Sequence, residues 1–323
     1  MKVPPSKHGT LRRAEEVVCP LCGQTNTLIV KQVDVGPIAK YWRDLQYDLD
    51  VAFPQLRNGL WKRQCVDCDL RFFYPEAVGG PDLYSALGKG SVYYGAAKWE
   101  YLNVLQHLSK RPKGGALLEF GCGPGHFLER VTPYYTSSLG IDFNEDAVHE
   151  AQSRGLNVGI SDLADLEQVF DTIVAFQVIE HVPDPGATLR RLLRLLRPGG
   201  ELIVAVPNED SLLGVLERNC LNVPPHHTTC WTKAAFNSIA RLFLIDLEAY
   251  SREPFNLELY LCVLHERFDR YVASSNTMLR PWLSLLRRAY IAWGLLEFDQ
   301  IRKYEVGHTH IAFFRKPAIL GAE

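Results

Sequence analysis

The chain has 323 residues, of which 47% are hydrophobic and 22% charged, with a formal net charge of −2. That length holds one large domain plus a small appendage. The composition is that of a folded globular protein, and the near-neutral balance lacks the positive field of a nucleic-acid binder. The opening Met1 to Glu16 is polar and does not read as a secretory signal, and the longest apolar candidate, Trp282 to Leu296, is broken by Arg287 and Arg288. A cytoplasmic protein without a membrane span is expected.

In chain order the first feature is a pair of C-x-x-C knuckles, Cys19/Cys22 and Cys65/Cys68, separated by 42 residues. Each knuckle points two sulfurs at one place, so the pair favours one structural four-thiolate zinc site over disulfides; four unrelated thiols are the alternative. The gap exceeds usual zinc-finger spacing, and residues 37–53 are expected to be looped out as a helical insertion. A strand at Thr27–Val30 and strand-like runs at 60–68 and 70–75 complete a zinc-ribbon-like unit over residues 1–80. The remaining cysteines, Cys122, Cys220, Cys230 and Cys262, are scattered singly.

Gly79-Gly80-Pro81 separates this unit from the rest of the chain. Val92 to Ser109 carries aromatic and leucine positions at helical spacing. Strands and helices then alternate: strand 117–120, helix 127–131, strand 138–141, helix 145–154, strand 156–160, strand 171–176, helix 187–196, strand 201–206. Alternation of this kind implies α/β architecture with a parallel sheet covered on both faces, and ligands in such sheets bind at the strands' carboxyl ends. Later, 243–250 is strand-like and Val306–Arg315 reads as the final strand. Between them lies a helical insertion, about 255–303, with helical spacing over 257–271 and 279–302. It either caps a substrate pocket or packs against the sheet or another subunit. Arg190, Arg191, Arg194 and Arg197 read as the solvated side of a helix.

The chemistry concentrates after the first of the alternating strands. Leu117-Leu118-Glu119-Phe120 runs into Gly121-Cys122-Gly123-Pro124-Gly125, a turn whose glycines let a ligand approach the main chain. A dinucleotide site would need a third glycine where His126 stands, and the carboxylate of Glu119 would repel a pyrophosphate but suits an ammonium group. Asp142 ends the next strand, 23 residues after Glu119, where a carboxylate can accept both hydroxyls of a ribose. Asp162, followed by Leu163, is a short acceptor beyond the third strand; it either meets the amine of an adenine or simply caps the following turn. Phe176-Gln177-Val178-Ile179-Glu180-His181-Val182-Pro183 and Arg197-Pro198-Gly199-Gly200 come next in order.

Taken together, these segments resemble the motifs of the class I S-adenosylmethionine-dependent methyltransferases. The resemblance implies a doubly wound, Rossmann-like, mostly parallel seven-stranded sheet over residues 81–323. It implies a cofactor, S-adenosylmethionine, held by Glu119, Gly121, Cys122, Gly123, Gly125, Asp142, Phe143, Asp162, Leu163 and Gln177. Pro224 to Thr232 is similar to a segment of many bacterial methyltransferases that act on small metabolites and surface sugars, and the knuckles, Asp69 to Pro75, Tyr93-Tyr94, Lys98 to Tyr101 and Gly307 to His310 are similar to one bacterial subgroup with a four-cysteine unit. A small polar or sugar-type acceptor is therefore expected, with no nucleic-acid partner.

Methyl transfer also requires a proton to leave a hydroxyl or ammonium acceptor, which favours a histidine poised near neutrality. His181, at the carboxyl edge of the sheet, and His226 and His227, in a proline-bounded loop after the strand at 201–206, are the candidates. In an extended loop the adjacent pair would point opposite ways, one toward the acceptor and one holding the loop. His126 is expected to pack at a helix start. Two other readings remain: a binding module that has lost catalysis, and a nucleic-acid methyltransferase with the zinc unit as a clamp. The near-neutral charge and the lack of an Asn/Asp-Pro-Pro-Tyr/Phe motif weigh against the second.

Overall fold

The computed structural model describes residues 16–88, 95–216, 219–255, 257–273, 283–301 and 306–318. Tyr93 and Tyr94, and the stretches 274–282 and 302–305 of the insertion, lie outside the described residues. The chain opens with strand β1 (Thr27–Val33), helices α1 (Val35–Asp44) and α2 (Leu49–Ala52), and strands β2 (Leu60–Cys65) and β3 (Arg71–Tyr74). Asp34 and Asp48 start the two helices by accepting backbone N–H groups of their first turns. Helix α1 buries Ile38 and Trp42 against Leu49, Leu60 and Phe73, which gives residues 35–53 an apolar core of their own. This is the expected insertion between the knuckles.

Helix α3 (Pro81–Gly88) and α4 (Trp99–Leu108) lead into β4 (Ala116–Phe120), α5 (His126–Val131), β5 (Ser137–Ile141), α6 (Glu145–Ser153), β6 (Val158–Gly159), β7 (Phe170–Phe176), α7 (Pro185–Leu195) and β8 (Leu196–Pro207). The chain then forms a short strand β9 (Thr229–Cys230), helix α8 (Lys233–Phe243), β10 (Asp246–Pro254), α9 (Leu257–Ala273), α10 (Leu283–Ile301) and β11 (Val306–Arg315). The main sheet is seven-stranded in the order β10-β11-β8-β7-β4-β5-β6. β4 pairs parallel with β5 and β7, β5 with β6 and β7 with β8, while β11 runs antiparallel to both β8 and β10. The sheet is thus mostly parallel. Its central strands are mostly apolar, with Glu119 and Thr172 as buried polar exceptions, because both faces are covered.

One face packs on α4, α5 and α6 through Val104, Phe127, Leu128, Val148 and Ala151. The other packs on α7 and α8 through Leu189, Leu192, Phe236 and Ile239, and the same cluster contains Cys19, Leu21, Cys65, Cys68 and Leu70. The knuckles are therefore part of the main core. Gly186, in the first turn of α7, donates its N–H to the Pro20 carbonyl at 3.1 Å, and a Cβ there would lie 2.5 Å from the Leu21 carbonyl oxygen. Lys62 and Arg71 both pair with the buried Glu209, just beyond β8, the latter at 3.1 Å.

Several local features differ from the expectations. The N-terminal sheet is four-stranded, β1-β2-β3-β9, and its last strand comes from Thr229–Cys230, far outside residues 1–80. Residues 233–242, for which the sequence pattern predicts no element, form α8, with Thr232 Oγ1 accepting from the Ala235 N–H at 3.0 Å. That helix claims Phe243 and stops at Leu244, whose φ of 52° is left-handed, so the strand expected from 243 starts at Asp246. The helix expected from Val92 is described from Trp99. In the insertion, α9 and α10 join Leu213 through Phe255, Tyr260, Leu264 and Tyr290. Among the described residues no helix is long and apolar enough to cross a membrane.

Candidate functional site

At the carboxyl end of β4 the chain turns through Gly121, Gly123 and Gly125 with φ of 74°, 51° and 78°. At Gly121 both conformation and space require glycine, because a Cβ would lie 2.7 Å from Val178 Cγ2. The Gly121 and Cys122 N–H groups donate to the Ile141 carbonyl at 2.9 and 3.1 Å. The Gly123 N–H donates to one Asp142 oxygen at 2.7 Å, and the Asn144 N–H donates to the other at 2.9 Å. The carboxylate is thereby fixed in place, with a further lone pair on each oxygen for hydroxyl donors. Burial raises its pKa against the opposing pull of these N–H groups.

Glu119 lies beneath this turn. It is 1% exposed, and its Oε2 has no hydrogen-bond partner among the described residues. Burial, followed by the nearby Asp142, pushes its pKa well above the usual carboxylate range. A buried carboxyl oxygen without a donor is costly unless something supplies one.

A cavity of about 640 Å³ opens above the turn. Its wall includes Gly121, Cys122, Gly123, Asp142, Phe143 and Gln177, together with Glu180, His181, His226 and His227. Gln177 is held at φ 53°, and its amide donates to Glu100 at 3.3 Å. Phe143 packs edge-on against Tyr84 at 5.0 Å. Glu119, Gly125, Asp162 and Leu163 are not wall residues. Gly125 starts α5. Asp162 accepts from the Ala164 N–H at 2.9 Å and pairs with Arg191 at 3.2 Å, so its partners are those of a turn cap, with Leu163 buried beside it. His126, expected to pack, is itself a wall residue.

The histidines depart from expectation in arrangement and in charge. Pro224 to His227 form a turn rather than an extended segment, and the His226 and His227 N–H groups both donate to the Val223 carbonyl at 3.2 Å. Their rings consequently stack on one side, 4.5 Å apart at 20°, and His181 meets them edge-on at 4.5 and 4.7 Å. Each Nδ1 is engaged: His181 with the His226 carbonyl at 2.7 Å, His226 with the Leu221 carbonyl at 2.7 Å, His227 with Asn222 Oδ1 at 3.0 Å. A carbonyl only accepts, so the rings donate there and the lone pair is left on Nε2. Burial lowers all three pKa values, His226 to about 4 and the other two well below the usual histidine range. None is poised near neutrality.

Several wall residues carry little or no signal in the sequence. Tyr84 stands 5.7 Å from the His181 ring and 5.9 Å from that of His226. Glu180, visible in the sequence only as part of a longer motif, is fully buried, with neither carboxyl oxygen hydrogen-bonded among the described residues. Its position directly before His181 was the available signal. Asn222 and Glu253 carried none. In the knuckle unit, Cys19 and Cys68 sulfurs lie 3.5 Å apart, as do those of Cys22 and Cys65, and all four fall within 4.8 Å of one another. Tetrahedral zinc with bonds of about 2.3 Å separates its sulfurs by about 3.8 Å, so the set fits the ion with small adjustments.

Fold and site together define a doubly wound α/β domain with its cavity at the carboxyl ends of the central strands. Residues 97–249 match the family described as a methyltransferase domain. A Mycolicibacterium smegmatis protein named "Probable S-adenosylmethionine-dependent methyltransferase" is 36% identical over 110 residues, which is 32% of this chain and 43% of that protein. A ubiquinone biosynthesis O-methyltransferase of Xylella fastidiosa is 34% identical over 116 residues, 32% of this chain and 47% of its own length. The chain thus matches under half the length of these relatives. Among solved structures, the N-methyltransferase NodS of Bradyrhizobium japonicum in complex with S-adenosyl-L-homocysteine aligns at 15% identity and a TM-score of 0.41, over 70% of this chain and 90% of that one.

Proposed function

We propose that the protein is an S-adenosylmethionine-dependent methyltransferase acting on a small polar or sugar-type acceptor, with His181, His226 and His227 on the acceptor side. The observation that carries this reading is one cavity lined both by a glycine turn with a fixed carboxylate and by a cluster of three imidazoles. Gly121, Cys122 and Gly123 would cradle the cofactor's amino-acid part, and the unpartnered Glu119 oxygen suits an ammonium reached through water. Asp142 would accept the ribose hydroxyls, Phe143 and Gln177 would flank them, and Gly125 would set the turn. Asp162 and Leu163 have the weakest support, given their observed capping role. The cofactor supplies an electrophilic methyl, so the chain's task is alignment and the exclusion of water. An uncharged Nε2 can accept the hydrogen bond of an acceptor hydroxyl and orient its oxygen. Four thiolates close a tetrahedron, so the zinc we assign to Cys19, Cys22, Cys65 and Cys68 is structural.

Calorimetric titration with S-adenosylmethionine tests the reading. Binding to the wild type is expected, and Asp142→Ala should lose about 1.5–3 kcal/mol, the scale of hydrogen bonds to a charged group. Full affinity in a folded Asp142→Ala protein would refute the ribose assignment, and NAD binding in place of S-adenosylmethionine would refute the activity. Replacing His226 or His227 by alanine should slow methylation at least about tenfold with cofactor affinity nearly unchanged. Normal turnover in both variants would move the acceptor side elsewhere.

A further inference from the structure

We propose that His181, His226 and His227 hold a divalent metal ion of the zinc, iron(II) or cobalt(II) class at the acceptor side of the cavity. One ring nitrogen from each histidine lies within 4.8 Å of the other two. Metal–nitrogen bonds of about 2.0–2.1 Å in a tetrahedral site separate their nitrogens by about 3.4 Å, so closing the set needs ring tilts on the order of 1 Å.

The hydrogen bonds point the same way. All three Nδ1–H groups are spent on oxygen acceptors: the His226 and Leu221 carbonyls and Asn222 Oδ1. Metal-bound imidazoles characteristically donate their second ring nitrogen in this manner, which fixes the tautomer and turns the Nε2 lone pair toward the ion. The turn that closes on the Val223 carbonyl puts the His226 and His227 rings on one side, which an extended segment could not do.

Glu180 supplies the charge balance. Its carboxyl is fully buried, both oxygens are without hydrogen-bond partners among the described residues, and Oε1 lies 3.8 Å from His181 Nε2. A carboxylate beside a divalent ion offsets part of its buried charge. Imidazole with carboxylate suits zinc, iron or cobalt rather than calcium or magnesium. Three protein nitrogens leave a coordination position open, the feature that separates a working site from the closed four-thiolate one. Resting on the methyltransferase reading above, that position would take an oxygen of the acceptor in place of a direct Nε2 contact, and the nearby cation would make that oxygen's proton easier to release to the Glu180 carboxylate as the methyl arrives. The preferred acceptor class is then a hydroxylated compound.

Cobalt(II) titrated into metal-stripped full-length protein, followed by X-ray absorption and elemental analysis, tests the inference. We expect two ions per chain, one with a sulfur shell and one with an imidazole shell, and loss of the second in the His226→Ala/His227→Ala protein. The wild type decides alone if that variant fails to fold: an imidazole shell supports the site, and a sulfur-only shell or no bound cobalt overturns it. A parallel S-adenosylmethionine titration separates the two readings. Cofactor binding with a sulfur-only shell defeats the metal alone, whereas failure to bind cofactor defeats the methyltransferase reading whatever the shell.

Discussion

Glu201 shows how a single buried charge is secured at the start of the sheet's core. Its carboxylate is fully buried and receives Arg111 through two bonds of 2.6 and 2.7 Å, with His107 at 3.0 Å and Arg315 at 3.3 Å. Burial by itself would raise its pKa, but the His107 and Arg111 hydrogen bonds outweigh that and leave it lowered. Removing one partner of a buried pair typically costs about 3–5 kcal/mol. Glu201→Gln should fall near the lower end, since Arg111 and Arg315 are 31% and 27% exposed. Because the folded pKa is depressed, the stabilisation is present above the ordinary glutamate range and is lost as pH falls through the lower folded value. Melting temperatures of wild type and Glu201→Gln should therefore differ most near neutrality and converge in acid. A gap that persists in acid below the lowered folded pKa would show packing, rather than charge, at this position.

Among the elements, the contact between α7 and the first knuckle is the most exacting. Adding a methyl to Gly186 would drive it into the Leu21 carbonyl at 2.5 Å, a backbone atom that cannot swing aside. Gly186→Ala should destabilise by about 1–3 kcal/mol and speed the release of zinc from the four cysteines to a chelator. Unchanged release would mean that the knuckle does not depend on α7. How far such elements are legible in the sequence depends on their length and their partners. The alternation from 117 to 206 is readable because each buried strand and amphipathic helix carries its own period. Strand β9 has two residues and no period at all; it exists because β3 offers an edge to Thr229 and Cys230. The histidine turn reads as extended in the sequence because prolines bias the residues before them toward extended backbone, whereas here the residues after them close a turn on Val223. The weight of Glu180 becomes visible only once burial shows that no described residue satisfies its carboxyl oxygens.

Across the whole molecule the four-cysteine unit and the doubly wound domain share one core. Cys19, Leu21, Cys68 and Leu70 pack in the cluster that holds Leu189 and Phe236. Removal of the zinc proposed for the four cysteines should therefore lower the stability of the entire protein, and calorimetric scans should show one transition shifting to lower temperature. A separate early transition, with the main one unmoved, would mark the N-terminal unit as independent. The α9–α10 insertion affects the cavity only indirectly: none of its described residues is a wall residue, but it packs on Leu213, which is.

The short strand β9 connects the two chemistries directly. Thr229 and Cys230 pair with the strand just after the second knuckle, and they lie two and three positions beyond His227. On the other side, the Thr228 and Thr229 N–H groups both donate to the Glu180 carbonyl, at 2.9 and 3.2 Å. A hydrogen-bonded path thus runs from thiolates to imidazoles without leaving the backbone. Linkage across such a path works in both directions: if zinc raises acceptor affinity by some factor, the acceptor must raise zinc affinity by the same factor. The cysteine unit, remote from the cavity, would then set how firmly the acceptor is gripped, and oxidation of its thiolates would loosen that grip.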